Sequence, residues 1–159
     1  MTKRLIVSVM MLLFFCAQGQ AQTEEEGIPG IRENVEYSQI KSVSLHISKT
    51  PDTAEGYVVF QDKGGQPCST QGSFALSVKK KNVIGRSESV PKPVEIIRYD
   101  LTYSKQIVFK PGDFQFFDLP LGGAVYALPI SLPYYKVAVG DIALLEWRDF
   151  KLEQEVTGF

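Results

Sequence analysis

The sequence predicts an all-β fold, an antiparallel β-sandwich of about eight short strands. Two observations carry this reading. From Ile40 onward apolar residues recur mostly at every second position, and clusters of Gly and Pro cut these runs at short intervals. The same region has no stretch with the apolar period of a helix. Strands in this number bury their apolar faces by packing two sheets together or by closing into a barrel. One wet and one buried face per strand favours the sandwich, with a small β-barrel as the alternative.

The chain opens on a leader. Lys3 and Arg4 precede an apolar run at 5–15 broken only by Ser8, and Gly19 and Ala21 follow as small residues two apart. That is the pattern of a signal peptide spanning 1–21 and cleaved before Gln22. Eleven residues of helix would cover only about 17 Å of a hydrocarbon core about 30 Å thick, so the run is too short to be a membrane anchor. No later stretch is long and apolar enough to span a bilayer, so the mature chain is expected to have no transmembrane segment. Cys16 directly after the apolar run offers an alternative, in which it becomes the acylated N-terminus of an outer-membrane lipoprotein. Residues 22–39 begin QTEEEGIPG and then fit neither period, and are read as a flexible acidic lead-in to a single domain at 40–159.

Val43, Leu45 and Ile47 alternate with Ser44, His46 and Ser48, as in a half-buried strand. Thr50, Pro51 and Asp52 make a turn, and GYVVFQ at 56–61 is a run of β formers. The segment DKGGQP at 62–67 is a strong turn, because two Gly supply positive φ and Pro blocks ladder pairing. Phe74, Leu76 and Val78 alternate again, whereas residues 80–93 are polar, carry Asn82, Gly85, Pro91 and Pro93, and read as a loop. Ile97, Tyr99, Leu101 and Tyr103 share one phase. Strands follow at 106–110, 113–119, 124–132, 142–147 and 151–159. Pro129 places its strand at an edge or a bulge.

Residues 56–78 resemble the strand–turn–strand of immunoglobulin-like and transthyretin-like sandwiches, with Asp62, Gly65 and Pro67 matching their Asp-x-x-Gly-x-Pro turn. The match departs at Cys68, Ser69, Thr70 and Gln71, where such modules place small apolar residues. What the resemblance implies is a bacterial accessory or adhesive module without catalysis.

Composition excludes several chemistries. The whole chain has a formal net charge of -1, and without 1–21 it has 15 basic against 18 acidic residues, so no nucleic-acid partner is expected. One His and two Cys leave no ligand set for zinc and no cofactor is called for. His46 falls on the wet phase of its strand, and Cys68, the one Cys beyond the leader, reads as a half-buried structural thiol. Asp113, Asp118 and Asp141 sit beside Gly or Pro or at strand ends and read as turn caps, so no catalytic residue is assigned. Glu24, Glu25 and Glu26 read as solvated tail, and Lys79, Lys80 and Lys81 as a solvated hairpin tip. Trp147, Phe114, Phe116 and Phe117 read as core. Tyr134 and Tyr135 are the candidate ligand-binding residues: in an extended connection one is expected to bury and the other to meet solvent, where a sugar ring stacks.

These readings converge on an exported, non-catalytic sandwich of the periplasm or cell surface, a structural or protein-interaction module of a bacterial envelope. Its partner would be another envelope protein, reached through a sheet edge or loops. A carbohydrate- or small-ligand-binding module and a lipid-anchored subunit of an envelope assembly are the alternatives.

Overall fold

A computed structural model describes residues 30–88, 91–119 and 121–158. The leader at 1–21 with Cys16, and the acidic stretch to residue 29, lie outside the described residues. The compact unit is Arg32–Phe159.

Strand β1 (Ile40–Lys49) buries Val43, Leu45 and Ile47 and exposes Ser44 and His46, as the alternation predicts. A turn in which the Thr50 hydroxyl accepts the Thr53 N–H at 3.0 Å leads to β2 (Ala54–Asp62), paired antiparallel to β1. At the end of β2 the Asp62 carboxylate accepts the N–H groups of Gly64 at 2.9 Å and Gln66 at 3.0 Å, and Gly65 takes a φ of 79°. This side-chain-capped turn is the work of DKGGQP. It delivers β3 (Pro67–Cys68), β4 (Gly72–Ser87) and β5 (Val94–Phe109). Then come β6 (Gln115–Asp118), β7 (Ala124–Ser131), β8 (Ile142–Trp147), β9 (Phe150–Glu155) and β10 (Thr157–Gly158).

These strands form two sheets and no closed barrel. The larger runs β10-β1-β2-β7-β6, with β3 also on β2, and the smaller runs β5-β4-β8-β9. Between them lie the aromatic rings that hold the layers together. Phe60 of the larger sheet meets Trp147 at 5.1 Å and Phe109 at 5.4 Å, both from the smaller sheet, and Phe114 at 5.5 Å. Phe60, Phe74, Leu76, Val58 and Leu145 are fully buried.

The structure corrects several sequence expectations. Residues 32–39 belong to the domain rather than to a flexible lead-in. Val35 is buried, its N–H donates to Ser69 O at 2.8 Å, and its carbonyl accepts the Thr70 hydroxyl at 2.6 Å. Tyr37 packs edge-on against Trp147 at 4.9 Å. Backbone pairing carries this docking, which no side-chain period announces.

Residues 80–87 and 94 onward are strand, and the connection shrinks to 88–93. The periodicity is silent there because β8 pairs β4 only from Ala75 to Lys79, so the distal ribbon of β4 and β5 covers no core. Lys79, Lys80 and Lys81 therefore stand in mid-strand, opposite Leu101, Asp100 and Tyr99, and not at a tip. The stretch 151–159 is not one strand. β9 ends in the smaller sheet, Val156 is fully buried, and β10 joins the larger sheet parallel to β1.

Candidate binding groove

The outward-facing residues of the larger sheet meet in register. His46 lies opposite Tyr57, which lies opposite Pro129; Ser48 lies opposite Glu55, which lies opposite Ser131. Directly opposed residues on one face stand about 5 Å apart, close enough for rings to pack. The His46 and Tyr57 rings stack at 4.8 Å with 25° between planes, and Phe117 stacks on the other side of Tyr57 at 5.9 Å and 20°. Three rings from β1, β2 and β6 thus stand side by side.

β7 sets the position of Phe117. Its first half, Ala124 to Ala127, pairs β6, and its second half, Leu128 to Ser131, pairs β2. The β6–β7 hairpin is therefore free of β2, which lets Phe117 reach the Tyr57 ring. Pro129 sits where β7 has β2 on one side and no strand on the other, so its missing N–H disturbs no ladder. The edge expected from the sequence is a local one. Beneath the rings, Gly56 allows β1 and β2 to approach closely. A Cβ there would collide with the His46 carbonyl oxygen and lie 3.0 Å from the Ile47 Cα.

Around this stack runs a groove of about 700 Å³. Its walls include the Glu55 and Asp118 carboxylates, the Ser48, Ser131 and Thr157 hydroxyls and the Gln154 amide. Its volume falls in the range of small-ligand sites, about 300–1,000 Å³. Among the described residues no hydrogen bond or ion pair joins His46, Glu55 and Asp118 to one another, and no three His, Cys, Asp or Glu side chains cluster as a metal site. The groove holds the His46 ring by its stacking on Tyr57. What it offers is apolar ring surface edged by hydroxyl, amide and carboxylate groups.

The residues singled out from the sequence fall elsewhere. Tyr134 and Tyr135 lie in a 3-10 turn, Tyr134–Lys136, outside the groove lining. The turn is not extended, so the expected alternation fails and both rings are exposed, at 41% and 82%. The Tyr134 ring is taken by Lys49, whose Nζ lies 4.1 Å from its centre and donates to Val137 O at 2.6 Å. Phe114 and Trp147 are core, but Phe116 is exposed and Phe117 lines the groove. Of the three carboxylates, Asp113 accepts the Lys110 N–H at 2.9 Å and Asp141 the Ala138 N–H at 2.8 Å, as turn caps do; Asp118 lines the groove.

Cys68 is fully buried rather than half-buried. Burial pushes its thiol up to about 11, and the nearby Asp62 charge adds to the effect. Asp62 is held below the usual carboxylate range, first by the Gln66 N–H and further by the Arg32 guanidinium at 3.1 Å and the Gly64 N–H. This pair fastens the start of the unit to the β2 turn and is architectural. Tyr57 went unnoticed as a site residue in the sequence, and Phe117 was assigned to the core. Only the outward phase of His46 pointed to this face. Among the described residues no helix is long and apolar enough to cross a membrane. Comparison of the chain with protein-family models, curated proteins and solved structures gives no match.

Proposed function

We propose that this chain is an exported, non-catalytic interaction module of a bacterial envelope, and that the groove of its larger sheet binds carbohydrate. The observation that carries the reading is the His46–Tyr57–Phe117 stack inside a groove with a hydroxyl and carboxylate rim. A sugar presents C–H faces and ring hydroxyls together. The apolar faces pack on aromatic rings, and the hydroxyls exchange hydrogen bonds with carboxylates, amides and serines. Export rests on the leader pattern at 1–21, and a tethered form rests on Cys16. Palmitate labelling of wild type and Cys16→Ser separates the tethered form from the free one.

The test is a glycan array followed by calorimetric titration with the soluble oligosaccharides that score. Removing one stacking ring is expected to weaken binding about tenfold, the equivalent of about 1.4 kcal/mol, in Tyr57→Ala and in Phe117→Ala. Tyr135→Ala, outside the groove, leaves affinity unchanged. Silence across the array, or binding that survives both groove substitutions, rejects the carbohydrate reading.

A further inference from the structure

β5 is an end strand of the smaller sheet, and among the described residues its only strand neighbour is β4, which itself loses β8 beyond Lys79. A two-stranded ribbon is marginal in water on its own. This one also exposes apolar side chains on both faces: Ile97, Tyr99 and, at 61%, Leu101 share one phase, with Val83 across from Ile97, and Val94 and Ile96 take the other. Soluble proteins guard such edges with Lys, Pro or a bulge. Between Val94 and Leu101 β5 has no Lys and no Pro, and its bulge comes only after Leu101, where Thr102 is the extra residue. The lysines of the ribbon, Lys79 to Lys81, are on β4.

We infer that two copies of this chain pair along β5 as a symmetric antiparallel dimer, with Tyr99 on the two-fold axis. Charge selects this register. In a symmetric antiparallel pair opposed residues share a face, so the axis passes through a residue. With Tyr99 on the axis, Arg98 of each copy faces Asp100 of the other, Ile97 faces Leu101, and the two Tyr99 rings meet. A shift of one residue toward Arg98 sets two guanidiniums against each other, and a shift toward Asp100 sets two carboxylates together. Within one copy Arg98 and Asp100 already lie side by side, 3.0 Å apart, on the face they share with Asn82 and Lys80 of β4. Pairing therefore places two such couples head to tail, with signs alternating. The result is a four-stranded sheet, β4-β5-β5-β4, in which Ile97, Tyr99 and Leu101 of both copies form one apolar cluster on the two central strands, flanked by Lys79 and Lys81 of β4. This interface belongs to the smaller sheet and is independent of the groove.

Light scattering on the eluting purified chain should give twice the monomer mass at about 100 µM, and a chain that stays monomeric there overturns the proposal. In that event the ribbon serves a different protein. Register is read by cysteine cross-linking under mild oxidation in a Cys16→Ser background. Tyr99→Cys is expected to yield a covalent dimer with itself. Ile97→Cys and Leu101→Cys do so only when mixed with each other. Equal self-linking at all three positions sinks the assigned register. Arg98→Asp and Asp100→Arg are both expected to be monomeric, and the double swap is expected to be dimeric again. Both side chains are solvent-exposed, and urea unfolding confirms that each variant folds. Single variants that remain dimeric, or a double swap that stays monomeric, also overturn the inference.

Discussion

Phe60→Ala tests the idea that an aromatic cluster joins the two sheets. Phe60 is fully buried and lies within 5.5 Å, between ring centres, of Trp147, Phe109 and Phe114. Truncating a buried Phe to Ala costs about 3–5 kcal/mol, the transfer of the ring plus the cavity it leaves. Three ring contacts at favourable separations, each worth about 0.5–1.5 kcal/mol, put this site near the top of that range. A domain of this size has about 5–15 kcal/mol in hand, so the variant is folded but weakened, and Tm falls by roughly 10–20 °C. Trp147, the only Trp in the chain, touches Phe60 and reports unfolding by its fluorescence. Urea melts of wild type and variant should differ in midpoint at equal slope. Tyr135→Ala, with its ring 82% exposed, is the control and should move stability by less than about 0.5 kcal/mol. A Phe60→Ala loss below about 1.5 kcal/mol would falsify the picture of a shared aromatic core.

Asp62 makes stability depend on acid. Its folded pKa is depressed, so its contribution is complete above the ordinary carboxylate range near pH 4 and disappears as pH falls through the lower folded value. Wild type should therefore exceed Asp62→Asn in urea midpoint at pH 6, and the gap should close towards pH 2; a gap constant across that window refutes the assignment. Cys68, with its thiol pushed up to about 11 and no surface exposure, should resist Ellman's reagent at pH 8 in a Cys16→Ser chain and react as urea unfolds it. Stoichiometric labelling within seconds without denaturant counts against the burial.

Legibility in the sequence followed burial. Val43, Leu45 and Ile47 were readable as a strand because one face of β1 is dry and the other wet, which writes a period of two into the chain. The β4 half of the distal ribbon was unreadable for the same reason inverted: with no layer beneath Lys80 to Ser87, nothing selects apolar residues in alternation. Arg32 to Tyr37 dock through main-chain bonds to Ser69, which leave no trace in residue types, and through the Thr70 and Ser69 hydroxyls, which follow no period. The groove was hidden by register. His46 and Tyr57 are eleven residues apart, and their meeting is set by the length of the turn at Thr50 and the close approach at Gly56. Phe117 was misread as core because the outward face of this sheet carries a ring cluster of its own.

The division of β7 between two neighbours has a mechanical consequence. No residue of β7 is held from both sides, so bending between Ala127 and Leu128 breaks no interstrand bond. The β6–β7 arm is nevertheless anchored from below, because Tyr126 and Ala127 on it and Phe114 just before it are buried, and this holds Phe117 and Asp118 at the groove. His46 and Tyr57 stay fixed by the long β1–β2 ladder. Side-chain burial, rather than hydrogen bonding from both sides, therefore fixes where the two halves of β7 meet.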